Sequence, residues 1–142
     1  MMTNREVSFL LVEDDEVDVL CVKRAFKELK ISNPMVVAGD GLEGLSVLRG
    51  EDGFEKLQPP FIVLLDLNMP RMNGIEFLDA IRNDPNLRTS VVFVMTTSRH
   101  DRDRVSAYER NVAGYLVKRN ATETFNQAMG MIDHYWRVVE LP

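Results

Sequence analysis

Two kinds of segment alternate along this chain, and that alternation limits its fold more than any other feature. Five short apolar runs recur: Val7 to Val12 (VSFLLV), Met35 to Ala38, Phe61 to Leu65 (FIVLL), Val91 to Met95 (VVFVM) and Tyr115 to Val117. They are rich in β-branched and aromatic residues and nearly unbroken by polar ones, which is how strands buried on both faces read. Between them the apolar spacing changes to three and four. Val17, Leu20, Cys21, Ala25, Phe26 and Leu29 mark one such face; Leu42, Leu45 and Leu48 mark a second; Ile75, Phe77, Leu78 and Ile81 mark a third. Val105 to Val112 and Phe125 to Trp136 complete five helical segments. Asp40 with Glu43, Asn73 with Glu76 and Asn120 with Glu123 have the spacing of capping boxes. Pro59-Pro60 and Asp84-Pro85 mark loops.

Strands alternating with helices imply parallel strands joined by right-handed crossovers. The expected fold is α/β: a three-layer, doubly wound, flavodoxin-like five-stranded sheet with five helices. The order 2-1-3-4-5 is one common solution for such a sheet. The chain reads as one domain over residues 1–142, with 137–142 as a C-terminal tail. Its net charge of −5 argues against non-specific nucleic-acid binding. The single cysteine, Cys21, cannot make an internal disulfide, which fits a reducing compartment. No apolar stretch is long enough to span a membrane, and the first residues lack the apolar core of a signal peptide. The expectation is a cytoplasmic protein with no nucleic-acid or membrane partner.

The strand ends carry the chemistry. The first run leads into Glu13, Asp14 and Asp15, the third into Asp66, the fourth into Thr96 and the fifth into Lys118. In an open parallel sheet all carboxyl ends lie along one edge, where ligands bind. Neighbouring strands are about 5 Å apart, so these side chains can meet. Two unit charges roughly 4 Å apart repel by about 1 kcal/mol in water and about 4 at an effective dielectric of 20. A carboxylate cluster there needs a cation or a proton, and an all-oxygen site without His or Cys favours Mg²⁺ or Mn²⁺. His100 and His134 read as surface residues, and Asp15 as a helix cap.

At this point the segments LLVEDD (Leu10 to Asp15), LLDLNMPRMNG (Leu64 to Gly74), VMTTS (Val94 to Ser98) and GYLVK (Gly114 to Lys118) matter together. In order and spacing the chain resembles bacterial response-regulator receiver domains over nearly its whole length. The resemblance implies that Asp66 is the phosphoacceptor, that Glu13, Asp14, Asp66 and the Asn68 carbonyl hold Mg²⁺, and that Thr96 and Lys118 contact the phosphoryl oxygens. Tyr115 matches the aromatic position that switches with Thr96. Such a protein is a phosphoacceptor rather than an enzyme, although it assists its own Mg²⁺-dependent phosphorylation and dephosphorylation. Its donor is a sensor histidine kinase, and its output is protein contact. One departure stands out. Most receivers place Pro after the lysine, joined by a cis bond, whereas Arg119 follows Lys118 here. A cis non-Pro bond costs about 2.5–4 kcal/mol, so cis is not implied. The long segment Arg49 to Pro60, the missing Pro and the ending VELP are similar to phytochrome-associated single-domain regulators. That sub-family implies a phytochrome as kinase and a homodimer through helix 4, strand 5 and helix 5. Trp136, Val138, Val139 and Leu141 give the tail an apolar surplus suited to a dimer interface or to docking on the same subunit.

Three other readings compete. A haloacid-dehalogenase-like phosphatase needs an acid two residues after its nucleophile, where Asn68 stands. A nucleotide-binding flavodoxin-like domain needs a glycine-rich turn after strand 1, where EDDEVD stands. A receiver-fold interaction domain that works without phosphorylation would not need the full acidic set.

Overall fold

A computed structural model describes residues 6–118 and 121–142. Its strands are β1 (Ser8–Val12), β2 (Met35–Ala38), β3 (Phe61–Leu65), β4 (Val91–Thr96) and β5 (Gly114–Val117). Its helices are α1 (Glu16–Glu28), α2 (Gly41–Arg49), α3 (Gly74–Arg82), α4 (Asp101–Glu109) and α5 (Ala121–Val138). All strand pairs are parallel, in the order β2-β1-β3-β4-β5, as expected. Both the Lys118–Arg119 bond and the Asn120–Glu123 cap lie outside the described residues. The one cis peptide bond among the described residues joins Pro59 and Pro60.

Strand side chains alternate between faces. Leu10, Val12, Val63, Leu65, Val92 and Val94 pack with Leu45, Leu48, Phe77, Leu78, Ile81 and Ala107, so α2, α3 and α4 cover that face. Phe9, Leu11, Ile62, Leu64, Phe93 and Met95 pack with Val22, Phe26, Phe125, Met129 and Ile132 of α1 and α5. Burial on both sides explains why these strands read as continuous apolar runs.

The helices correct parts of the sequence reading. On α1 the buried stripe is Val22, Ala25 and Phe26, while Val17, Leu20 and Leu29 are exposed. The helix begins at Asp15, whose side chain accepts from the Val17 and Asp18 amides; from there the inward face runs through Val19 and Val22 rather than Val17 and Leu20. Leu42 likewise points to solvent on α2, and Gly44 and Val47 are buried there. Asp40 caps α2 through the Glu43 amide, but the reciprocal bond that would complete a capping box occurs, among the described residues, only at Asn73 and Glu76. α4 starts at Asp101, with the charged residues Asp101 to Arg104 as its first turn, and Ala107 is its one buried residue, with Val105 and Tyr108 exposed. Trp136 and Leu141 pack on the α1–α5 side of the same chain, whereas Val138 and Val139 remain exposed.

Arg82 ties the lower ends of three elements together. Its guanidinium donates to the carbonyls of Arg110 (2.7 Å), Arg88 (2.7 Å), Ser90 (2.8 Å) and Asn111 (3.1 Å). Burial lowers its pKa from the ordinary value, yet an arginine remains charged in any accessible range. The core itself should respond to truncation in the usual way. Phe77→Ala removes a fully buried ring and is expected to lower unfolding free energy by about 3–5 kcal/mol. Urea denaturation measures this, and a loss below about 1 kcal/mol would contradict the packing.

Candidate functional site

The sheet ladder runs one residue past each strand and so fixes the backbone of the polar residues that follow. The Glu13 amide donates to the Ala38 carbonyl (2.9 Å), the Asp66 amide to Val12 (3.0 Å) and the Lys118 amide to Thr96 (2.8 Å). The alternation that sends Leu11, Leu64 and Leu116 to the α1–α5 face carries on to Glu13, Asp66 and Lys118. Thr96 and Tyr115 fall on the opposite alternation, beside α4.

Carboxylate oxygens of Glu13, Asp14 and Asp66 all lie within 4.8 Å of one another. Glu13 and Asp66 are buried, and Asp14 is exposed. The Lys118 ammonium donates to Glu13 (2.6 Å) and to Asp18 (2.7 Å), and it stands 3.8 Å from Asp66. Asn68 lies two residues past Asp66 in an exposed loop. Thr96 is fully buried, and its hydroxyl accepts from the Ser98 amide (3.3 Å). The Tyr115 hydroxyl donates to the Ser98 carbonyl (3.0 Å), and the Ser98 hydroxyl donates to Asp103 (2.5 Å).

Burial raises the Glu13 pKa to about 7; Lys118 opposes this shift and the Asp66 charge adds to it. Burial also raises Asp66, against the pull of Lys118, Thr96 and Glu13. For Lys118, burial would lower the pKa, but the hydrogen bonds to Asp18 and Glu13 and the Asp66 charge outweigh it and raise it. Burial raises Tyr115 as well. Three acids around one ammonium leave a surplus of negative charge, and the donors are all oxygens. This set fits a hard divalent cation and does not fit an anion without one.

The loop after Asp66 is held closely. A Cβ on Gly74 would meet the Asp66 carbonyl at 2.6 Å and the Leu67 Cα at 2.7 Å, so close approach requires glycine there. The left-handed residue in this loop is instead Arg71 (φ 62°), whose guanidinium pairs with buried Asp40 at the start of α2. Met69 and Met72 pack against the core, as loop packing would require. His100 and His134 are exposed. A cavity of about 500 Å³ opens at the opposite rim, by Arg49, Lys56 and Phe61. There Arg49 is paired with Glu51 and Asp84, and none of the expected site residues lines it.

Asp18 was missing from the sequence reading. Its signal was present: with Asp15 as the N-cap, Asp18 occupies the third helical position, where a side chain turns back toward the preceding strand end.

The family described as response regulator receiver domain matches residues 9–129. The chain is 34% identical over 134 residues to the response regulator Rcp1 of Synechocystis sp., covering 94% of this chain and 91% of that protein. The solved Mn²⁺-bound form of Rcp1 superimposes with a TM-score of 0.85 at 33% identity, over 96% of this chain and 99% of that one. The phosphorylated cyanobacterial phytochrome response regulator RcpA gives 0.88 at 29% identity, over 97% and 99%. The chain therefore belongs to the response-regulator receiver family of two-component signalling, whose members are generally non-enzymatic signalling modules. The expectation of a divalent cation at the acidic cluster stands with it. No helix among the described residues is long and apolar enough to cross a membrane.

The raised Glu13 gives a pH signature. The folded chain holds this proton more tightly than the unfolded chain between the ordinary value, 4.5, and about 7. The stabilisation is complete below that window and is lost as pH rises through about 7. Asp66, also raised, acts in the same sense. In metal-free buffer Glu13→Gln is expected to flatten the fall in melting temperature across this window. Identical pH profiles for the two proteins would contradict the burial of a protonatable Glu13.

Proposed function

We propose that this chain is a phosphoacceptor response regulator that receives a phosphoryl group on Asp66 from the phosphohistidine of a sensor histidine kinase, in a Mg²⁺-dependent reaction. One observation carries the reading: Glu13, Asp14 and Asp66 converge within 4.8 Å at the carboxyl edge, with the Lys118 ammonium 3.8 Å from Asp66. In this reading an Asp66 carboxylate oxygen forms the new bond to phosphorus. The bond from phosphorus to the donor imidazole breaks, and that imidazole leaves with the electron pair and takes up a proton. Carboxylates of Glu13, Asp14 and Asp66, with the Asn68 carbonyl, would hold the cation. Bound there, Mg²⁺ or Mn²⁺ supplies charge neutralisation on the phosphoryl oxygens. Lys118 supplies the second positive charge, and the Thr96 hydroxyl a hydrogen bond to a phosphoryl oxygen.

A Thr96 bond to the phosphoryl group is the basis of a switch if it is stronger than the contact with free Asp66, because only a contact that differs between two states can shift their populations. Moving the Thr96 hydroxyl toward Asp66 takes it from the Ser98 amide, and Ser98 is held by Tyr115 and Asp103. Thr96 and Tyr115 are therefore assigned as the switch pair, and α4 as the element they move. The chain acts as one domain over residues 1–142. Similarity to RcpA, a cyanobacterial phytochrome response regulator, supports a phytochrome as the kinase. Output runs through the face of α4, β5 and α5, where exposed Val105, Tyr108 and Val138 suit a homodimer.

Mass spectrometry after incubation with acetyl phosphate tests the acceptor. One phosphoryl group is expected on Asp66, only with Mg²⁺, and none in Asp66→Asn; persistent labelling elsewhere would end the assignment. Millimolar Mg²⁺ is expected to raise the melting temperature by linkage, and an unchanged value at saturating Mg²⁺ would count against the metal site. In sedimentation, Tyr108→Glu is expected to weaken self-association, and an unchanged dimer would exclude this face.

A further inference from the structure

Lys118 stands at the junction between the acidic cluster and helix α1. An ammonium has three N–H donors, and two of them are committed, to Glu13 at 2.6 Å and Asp18 at 2.7 Å. Glu13 and Asp66, which end β1 and β3 at the same edge, belong to the group of carboxylates that can hold a divalent cation, and Asp18 does not. A lysine and a metal ion drawn to the same two carboxylates oppose each other, since each reduces the negative potential the other needs. A third carboxylate, bonded to the ammonium from outside the cluster, relieves that competition.

We propose that Asp18 is a positioning residue for metal binding: it holds the Lys118 ammonium toward α1 and supplies its counter-charge, leaving Glu13 and Asp66 available to the divalent cation. The inference deepens the function proposed above and rests on its metal site. Several observations make Asp18 a fixed partner. Its amide donates to the N-cap carboxylate of Asp15 at 3.3 Å, which sets the first turn of α1. Its own side chain is 20% exposed and that of Lys118 only 8%, so the bond is shielded from solvent. The Phe125 ring lies under the ammonium, 6.0 Å from ring centre to nitrogen, and limits where the nitrogen can go. Glu13 is asked to serve both cations, and Asp18 shares half of that task.

Mn²⁺ binding to the full chain, read from the electron paramagnetic resonance signal of free Mn²⁺, tests this in a four-protein cycle. Asp18→Asn is expected to weaken Mn²⁺ binding about tenfold when Lys118 is present. In a Lys118→Gln background the same substitution is expected to change the dissociation constant less than about threefold. An equal effect in both backgrounds would mean that only overall charge is felt, and it would overturn the proposal, as would no effect in either. Asp18→Glu keeps the charge and is expected to stay within about threefold of wild type; weakening as large as that of Asn would also overturn it. Glu13→Gln separates the two readings. If wild type binds Mn²⁺, Glu13→Gln loses it and Asp18→Asn does not, Asp18 alone is wrongly assigned. If wild type binds no Mn²⁺, the metal site falls and this inference with it.

Discussion

Negative charge crowded at the end of a parallel sheet, and compensated by a single ammonium, is the constraint on which the rest of this structure turns. Glu13 and Asp66 are among the few polar side chains buried in the chain, at 4% and 7% exposure. Burying an ion pair is costly unless its geometry is good and its remaining hydrogen bonds are met. Lys118 meets two carboxylates at hydrogen-bond distance and a third at 3.8 Å. Among the described residues, one positive charge against four acids (Glu13, Asp14, Asp18 and Asp66) is still too little, and burial lets Glu13 hold a proton to about pH 7. A site in this condition is primed for an incoming cation.

The sheet makes this crowding unavoidable. β1, β3, β4 and β5 are neighbours in register, and the ladder continues to Glu13 after β1, Asp66 after β3 and Lys118 after β5. Side-chain alternation then puts these three on the α1–α5 side and Thr96 with Tyr115 on the α4 side. The acidic cluster and the Thr96–Tyr115 pair are thus set on opposite faces of one sheet. Thr96 sits at the border, and through Ser98 it is joined to both Tyr115 and Asp103.

What could be read from residues alone followed this geometry. Strands β1, β3 and β4 were legible because burial on both faces leaves an apolar run without a period. Glu13, Asp66, Thr96 and Lys118 were legible because each ends such a run. The phase of α1 was not. Two apolar stripes, one through Val17 and Leu20 and one through Val19 and Val22, satisfy the same spacing, and only packing on the sheet chooses the second. Asp18 escaped because its partner, Lys118, is 100 residues away. The Asp40–Arg71 pair, 31 residues apart, escaped for the same reason. Gly74 is required by the nearness of the Asp66 carbonyl and not by a positive φ; Arg71 is the left-handed residue of that loop. Long-range polar pairs leave no periodic trace in a sequence.

Helix α4 contributes one buried side chain, Ala107, to the core. Polar ties hold it at its ends: Ser98 to Asp103 at the start, and Arg110 to Asp79 with Arg82 to the Arg110 carbonyl at the finish. The outward residues of such a helix are released from any duty to the interior. The exterior of this layer can be rewritten, one side chain after another, while the scaffold beneath it stays the same.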